Sequence, residues 1–193
     1  MKNIIKVTCL LMIVFSCKGQ QIVPVEKAIE YRDAGNGVPD GIYLKDVNNL
    51  LDKYVGTWIG SVDAKSYTFV VSKYKNNLSR GVSQDELLIR FLITKSDGTI
   101  IEDTRSLPDT SPYVIKGDYF NKTASYYTSN YMGKNPECGQ SGTIFISLPK
   151  KSVNPQMKLF LMPDRDLMDV KKCPGQKVAE QVLPIKSIFL TKQ

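Results

Sequence analysis

Five carboxylates, Glu86, Glu102, Asp103, Asp118 and Glu137, are the first candidates for acid or base work in this chain. Two carboxyl groups flanking a bond can hydrolyse a glycoside without an imidazole. No spacing among these five, however, sets two of them apart as such a pair. Glu102 and Asp103 are neighbours in a predicted strand, so they point to opposite faces, most simply as solvent-side charges. Asp164, Asp166 and Asp169 form a loose acidic cluster without the glycine and terminal glutamate of a calcium loop, and no metal site is assigned to them. The chain has no histidine. That excludes Ser-His-Asp and Cys-His activation of a nucleophile, and it excludes histidine-based catalytic zinc sites. The expectation is a non-enzymatic protein with no cofactor and no bound metal.

The side chains must be positioned by a fold of ordinary globular composition. Hydrophobic residues make up 42% of the 193 positions and charged residues 23%, which argues against wholesale disorder and for one domain. Lys2 and Lys6 flank an apolar run from Val7 to Phe15, too short to cross a bilayer as a helix. This is the pattern of a secretory signal peptide over residues 1–16. Its removal leaves 24 basic against 19 acidic side chains, a net of +5. The excess is lysine spread thinly, with Lys150-Lys151 and Lys171-Lys172 as doublets, and not the stripe that tracks phosphates. No nucleic-acid partner is expected.

The end of the run, Val14-Phe15-Ser16-Cys17 followed by Lys18-Gly19-Gln20, resembles the lipobox of bacterial lipoproteins. There the cysteine is acylated and becomes the mature N-terminus. Phe15 departs from the small residues usual in that motif, while Ser16-Cys17-Lys18 is similar to lipoproteins of Bacteroidetes. The competing reading is an ordinary cleaved signal with a chance cysteine. The resemblance implies a membrane partner through lipid on Cys17. Lys18, in place of aspartate, implies outer-membrane sorting, and the lack of a following acidic run implies the periplasmic side over the cell surface. With Cys9 in the discarded segment and Cys17 lipidated, Cys138 and Cys173 remain as an even pair in an exported domain, the arithmetic of one disulfide.

Residues 17–44 carry few periodic apolar positions and four breakers, Gly35, Gly37, Pro39 and Gly41, and read as lipidated cysteine and tether. The domain is expected over 45–193. Asp46 is a candidate N-cap, and Val47, Leu50, Leu51 and Tyr54 succeed it at helical spacing. From Gly56 the period changes to two. Trp58, Gly60 and Val62 share one face; Tyr67, Phe69 and Val71 share the next; Leu87, Ile89, Phe91 and Ile93 share a third. Lys95-Ser96-Asp97-Gly98 is a tight turn returning through Thr99 to Arg105. Further strands are expected at 113–120, 123–131, 143–148, 156–162 and 185–191, with a long connection between Pro163 and Pro184. The fold class is therefore all-β, an antiparallel barrel of about 8–10 strands behind a short N-terminal helix.

A short helix followed by Gly56-x-Trp58 at the mouth of the first strand resembles the start of lipocalins and calycins. The resemblance implies that Trp58 plugs one end of the barrel and that a basic residue of the last strand, here Lys192, packs across its ring. Residues 48–58 together with the Phe189-Leu190-Thr191-Lys192-Gln193 ending are similar to an uncharacterised family of exported flavobacterial proteins, and that likeness supplies no activity.

Two functional expectations arise. In the first, the protein carries a small apolar ligand in a barrel cavity lined by Tyr67, Phe69, Phe91 and Tyr126, with Tyr113, Tyr119 and Tyr127 as further lining candidates; ordinary core packing is the competing explanation for these rings. In the alternative, it is an interaction or inhibitor module of the cell envelope, acting through the loops 130–140 and 164–177 that a Cys138–Cys173 bridge would hold together.

Overall fold

From Gly56 onward apolar side chains alternate with polar ones, and each alternation closes against its neighbour. The computed structural model describes residues 19–149, 156–164, 171, 173, 175 and 177–193. The expected signal peptide, Cys17, Lys150-Lys151, Lys172, Asp166 and Asp169 lie outside these residues. The described strands are β1 (Gln21–Pro24), β2 (Ile42–Lys45), β3 (Gly56–Val62), β4 (Lys65–Asn77), β5 (Ser83–Lys95), β6 (Ile100–Asp103), β7 (Ile115–Phe120), β8 (Tyr127–Met132), β9 (Ser141–Ser147), β10 (Gln156–Pro163) and β11 (Ile188–Lys192). An α-helix, α1 (Ala28–Asp33), lies between β1 and β2.

Eight of these strands form a closed antiparallel barrel in the order β5-β4-β3-β11-β10-β9-β8-β7, with β7 returning to β5. Apart from β6, it is an up-and-down meander. Closure of the meander is made by β11 on β3, with Thr191 opposite Ile59 and Lys192 opposite Trp58. The 13-residue β5 is longer than its neighbour β7, and one of its edges is shared by three strands. β2 pairs with its first residues, β7 with Leu88 and Ile89, and β6 with Leu92 to Thr94.

The interior is filled. Trp58, Phe69 and Phe91 stand opposite one another across β3, β4 and β5. These three, with Ile93, Tyr127, Ile144, Ile146, Leu159 and Leu190, have no accessible surface. A void able to admit water would leave such surface on its lining. Burying each large side chain contributes about 1.5–3 kcal/mol, which makes this ring of side chains the main source of stability.

Two expectations are corrected. Within the expected tether of 17–44, residues 21–44 are part of the fold. Val25, Ala28, Ile42 and Leu44 are buried in the core, because β1 pairs in parallel with β2 and β2 in parallel with β5. The short helix is also not at 46–54. Asp46 does act as a cap, its carboxylate accepting from the amides of Leu50 and Leu51 at 2.7 and 3.1 Å. Asn49, however, adopts φ of 54°, a left-handed conformation that stops an α-helix. The chain then makes only a single 3-10 turn, Asp52–Tyr54, before β3. The helix that precedes the barrel is α1.

Candidate functional site

The plug of the barrel is assembled from the residues around Trp58. The indole nitrogen donates to the Tyr54 carbonyl at 2.7 Å, which fixes the ring beneath the 3-10 turn. The Lys192 ammonium lies 5.5 Å from the ring centroid, in the range of a cation–π contact. Gly56, at φ of 130°, leaves the room that Lys192 occupies: a β-carbon there would sit 2.7 Å from its Cε. Tyr54, Phe120 and Tyr127 pack on one another as an aromatic cluster, with Phe120 and Tyr127 edge-on at 4.8 Å. Gly56, Trp58 and Lys192 are thus one structural unit.

The aromatic residues named for a cavity separate into two groups. Tyr67, Phe69 and Phe91 point inward and pack on one another, Tyr67 stacked on Phe69 at 6.2 Å and Phe69 tilted against Phe91 at 6.3 Å. Tyr126 lies outside. β8 begins at Tyr127, which pairs with the buried Phe120 and takes the inward position, and an outer row runs from Tyr126 to Phe145 at 5.5 Å and from Phe145 to Phe160 at 4.9 Å. Tyr119 also faces outward, beneath the Arg32 guanidinium. Tyr113 is exposed.

Opposite the plug, the barrel mouth is covered by the segment 177–187. The Cys138–Cys173 disulfide is formed and ties the chain leading into this segment to the 3-10 turn before β9. The Ala179 amide donates to the Cys138 carbonyl at 2.9 Å, the Gln140 side-chain amide to the Glu180 carbonyl at 2.7 Å, and the Leu161 amide to the Pro184 carbonyl at 2.8 Å. Leu183 is driven into the mouth and buried. Lys65 reaches Glu180 at 3.1 Å, but Glu180 is solvated and this pair contributes little.

Two surface clefts flank the covering segment and share Gln181 and Ile185. One, of about 480 Å³, lies over Val62, Lys65, Tyr67 and Leu183. The other, of about 360 Å³, runs along Gly139, Pro163 and Val178. Val178 and Ile185 are 57% and 55% exposed, so the rim offers apolar anchors beside Asp63, Lys65 and Lys186. Of the two loops expected to act together, 130–140 meets the segment 177–187 through Cys138, Gly139 and Gln140, while most of 164–177 lies outside the described residues.

A carboxylate pair that local spacing did not reveal sits at the seam between β5 and β7. The register that sets Leu88 against Lys116 continues to place Glu86 across from Asp118 on one outer face. Burial raises the Glu86 carboxyl from the ordinary 4.5 to about 7, with the Asp118 charge adding to the rise and hydrogen bonds from Asn76 at 3.1 and 3.3 Å opposing it. Burial raises Asp118 as well, opposed by Arg32 at 3.4 Å. The Tyr127 hydroxyl reaches the same seam beside the Leu87 amide, through space that only a glycine at 117 leaves open. Glu102 is buried as well and its carboxyl raised by burial, contrary to the solvent-side expectation, because it stands opposite the inward Ile93. Asp103 is paired with Arg105 at 2.8 Å on the outer surface. Among the described residues no group of three or more Asp, Glu or Cys side chains is placed to hold a metal ion.

Glu86 makes a pH prediction with a definite sign. Its folded value lies above its unfolded one, so its favourable contribution is complete below pH 4.5 and is lost as pH rises to about 7. Wild-type stability should lose about 3 kcal/mol across that window from this group. Glu86→Gln keeps the Asn76 contact and should remove that part of the slope, which chemical denaturation at pH 5 and pH 8 will measure. Parallel pH profiles for the two proteins would show that Glu86 does not titrate in this window.

In comparisons with known proteins, the model of a family described as a family of unknown function (DUF6705) matches residues 1–173. No curated protein and no solved structure matches the chain.

Proposed function

The chain belongs to the DUF6705 family, which carries no assigned activity, and we propose that it is a lipid-anchored, non-enzymatic binding module of a Bacteroidetes cell envelope. In this reading Cys17 is acylated after removal of residues 1–16, and the barrel sits on the periplasmic side of the outer membrane. It recognises an envelope protein through the rim of its mouth. The observation that carries the reading is the disulfide-clamped segment over the mouth. A filled barrel has no room for cargo, whereas the clamp holds Val178 and Ile185 exposed on a backbone fixed by three hydrogen bonds. Apolar anchors on a pre-ordered loop lose little conformational entropy on binding, which favours association.

A photocrosslinking residue in place of Ile185, introduced into the full chain in its native envelope, tests this. A discrete protein adduct is expected from position 185, and none from a residue on the opposite end such as Lys75. Equal labelling from both positions, or no adduct above background, would overturn the assignment of the rim.

A small apolar ligand remains a second reading on the strength of the cleft of about 480 Å³ above Tyr67, with Val62, Leu183 and Ile185 as walls. Native mass spectrometry of the protein released gently from membranes should then show an added lipid-sized mass that is lost in Leu183→Asp. A spectrum of bare protein alone would remove this reading.

A further inference from the structure

We propose that the turn joining β4 to β5 rests on the headgroups of the anchoring bilayer, and that the barrel mouth points away from it. The inference depends on the reading of Cys17 as the lipidated residue and deepens it from attachment to orientation. Three residue steps separate Cys17 from Gln20, and a chain can span at most about 11 Å over that distance. Gln20 is already fixed to the fold: its side-chain amide donates to the Gly81 carbonyl at 3.2 Å and to the Ser83 hydroxyl at 3.4 Å. Gln21 then opens β1 opposite Ile42. The β4–β5 turn is therefore held within about one headgroup depth of the acyl chains, and the domain cannot tumble freely on a long leash.

The side chains at that end suit the position. Leu78 is 44% exposed at the turn and Ile22 is 54% exposed on the neighbouring edge strand β1. The Arg80 side chain is 64% exposed, its guanidinium 3.3 Å from Asp40 on the adjoining loop. Leucine and isoleucine enter the interfacial region favourably, and a guanidinium forms strong paired hydrogen bonds with phosphate. The occupant of this surface is thus a phospholipid headgroup layer.

The position of the opposite end is set by strand length. β4 runs 13 residues from Asn77 at the turn to Lys65 at the mouth cleft. At about 3.3 Å per residue and a tilt of about 40°, the mouth stands roughly 30 Å further from the bilayer. The rim would then be presented to partners in the aqueous space.

The test uses the full chain with its own signal, so that the anchor can form, reconstituted into phosphatidylethanolamine–phosphatidylglycerol vesicles that contain a headgroup-labelled nitroxide lipid. Leu78→Cys and Ile185→Cys each carry one environment-sensitive fluorophore; the two other cysteines of the fold are joined in the disulfide. Quenching by the nitroxide should be several-fold stronger at position 78 than at 185. Flotation of the wild type and Cys17→Ser with the same vesicles keeps the two readings apart. If the wild type floats, Cys17→Ser does not, and both labels quench alike, the orientation fails while the anchor stands. If the wild type does not float, the anchor fails and takes the orientation with it.

Discussion

Replacing Trp58 by alanine should destabilise the domain by about 3–5 kcal/mol, the cost of truncating a large buried aromatic side chain, and lower the melting temperature by roughly 10 °C or more. The size of the effect comes from the number of relations that the ring satisfies at once. It fills the space under the Asp52–Tyr54 turn, opposes Phe69 across β3 and β4, anchors the turn through the Tyr54 carbonyl, and carries the Lys192 ammonium on its face. Alanine cannot collapse this space, because its neighbours are held by strand register. Trp58→Phe should recover most of the packing but lose the hydrogen bond, and Lys192→Met should cost only about 0.5–2 kcal/mol through the lost cation–π contact. Urea denaturation of the three variants will rank them. An unchanged midpoint for Trp58→Ala would refute the plug as the organising element.

The paired substitution Cys138→Ser with Cys173→Ser should cost about 3.5–4 kcal/mol in the chain-entropy treatment of a loop closed over 35 residues. The loss should also be local in its first expression. The covering segment is joined to the barrel mainly by single hydrogen bonds and the buried Leu183, so without the bridge it should open before the barrel does. Hydrogen exchange will read this directly. Protection at the Ala179 and Leu161 amides should fall far more than at amides in the middle of β4 and β5. Uniform loss of protection would mean that the segment and the barrel unfold as one, and the rim would then not be an independent, clamped element.

How far these features are legible in the sequence depends on whether the physics is local. The alternation over Trp58–Val62, Tyr67–Val71 and Leu87–Ile93 predicts three barrel strands correctly, since a strand with one buried face writes that face into its own sequence. Residues 21–45 do not read as structure because they are stabilised by the edge of β5, about forty residues away in sequence. The strand expected over 123–131 does not by itself say which of Tyr126 and Tyr127 faces the interior. The turn built on Asn121, whose side-chain carbonyl accepts from the Ser125 and Tyr126 amides, delays its start to Tyr127. Tyr127 then pairs with the buried Phe120 and faces inward, so alternation leaves Tyr126 outside. The Glu86–Asp118 pair is the clearest case. The two are separated by 32 positions and meet only through the β5–β7 register, so no motif could mark them.

The closure of the barrel by β11 has a consequence for how the protein comes to be folded. This last strand is short, Ile188–Lys192, yet its partner β3 begins at Gly56. Until β11 takes its place between them, β3 and β10 are two open, hydrogen-bonding edges, the kind of surface that recruits other chains. Contacts separated by about 130 residues close late, and barrels dominated by such contacts fold in milliseconds to seconds. The rate-limiting event should therefore be the arrival of Ile188–Lys192 at β3. Loss of those few residues would leave a chain with no ring to close, and aggregation through its two unpaired edges as the dominant fate.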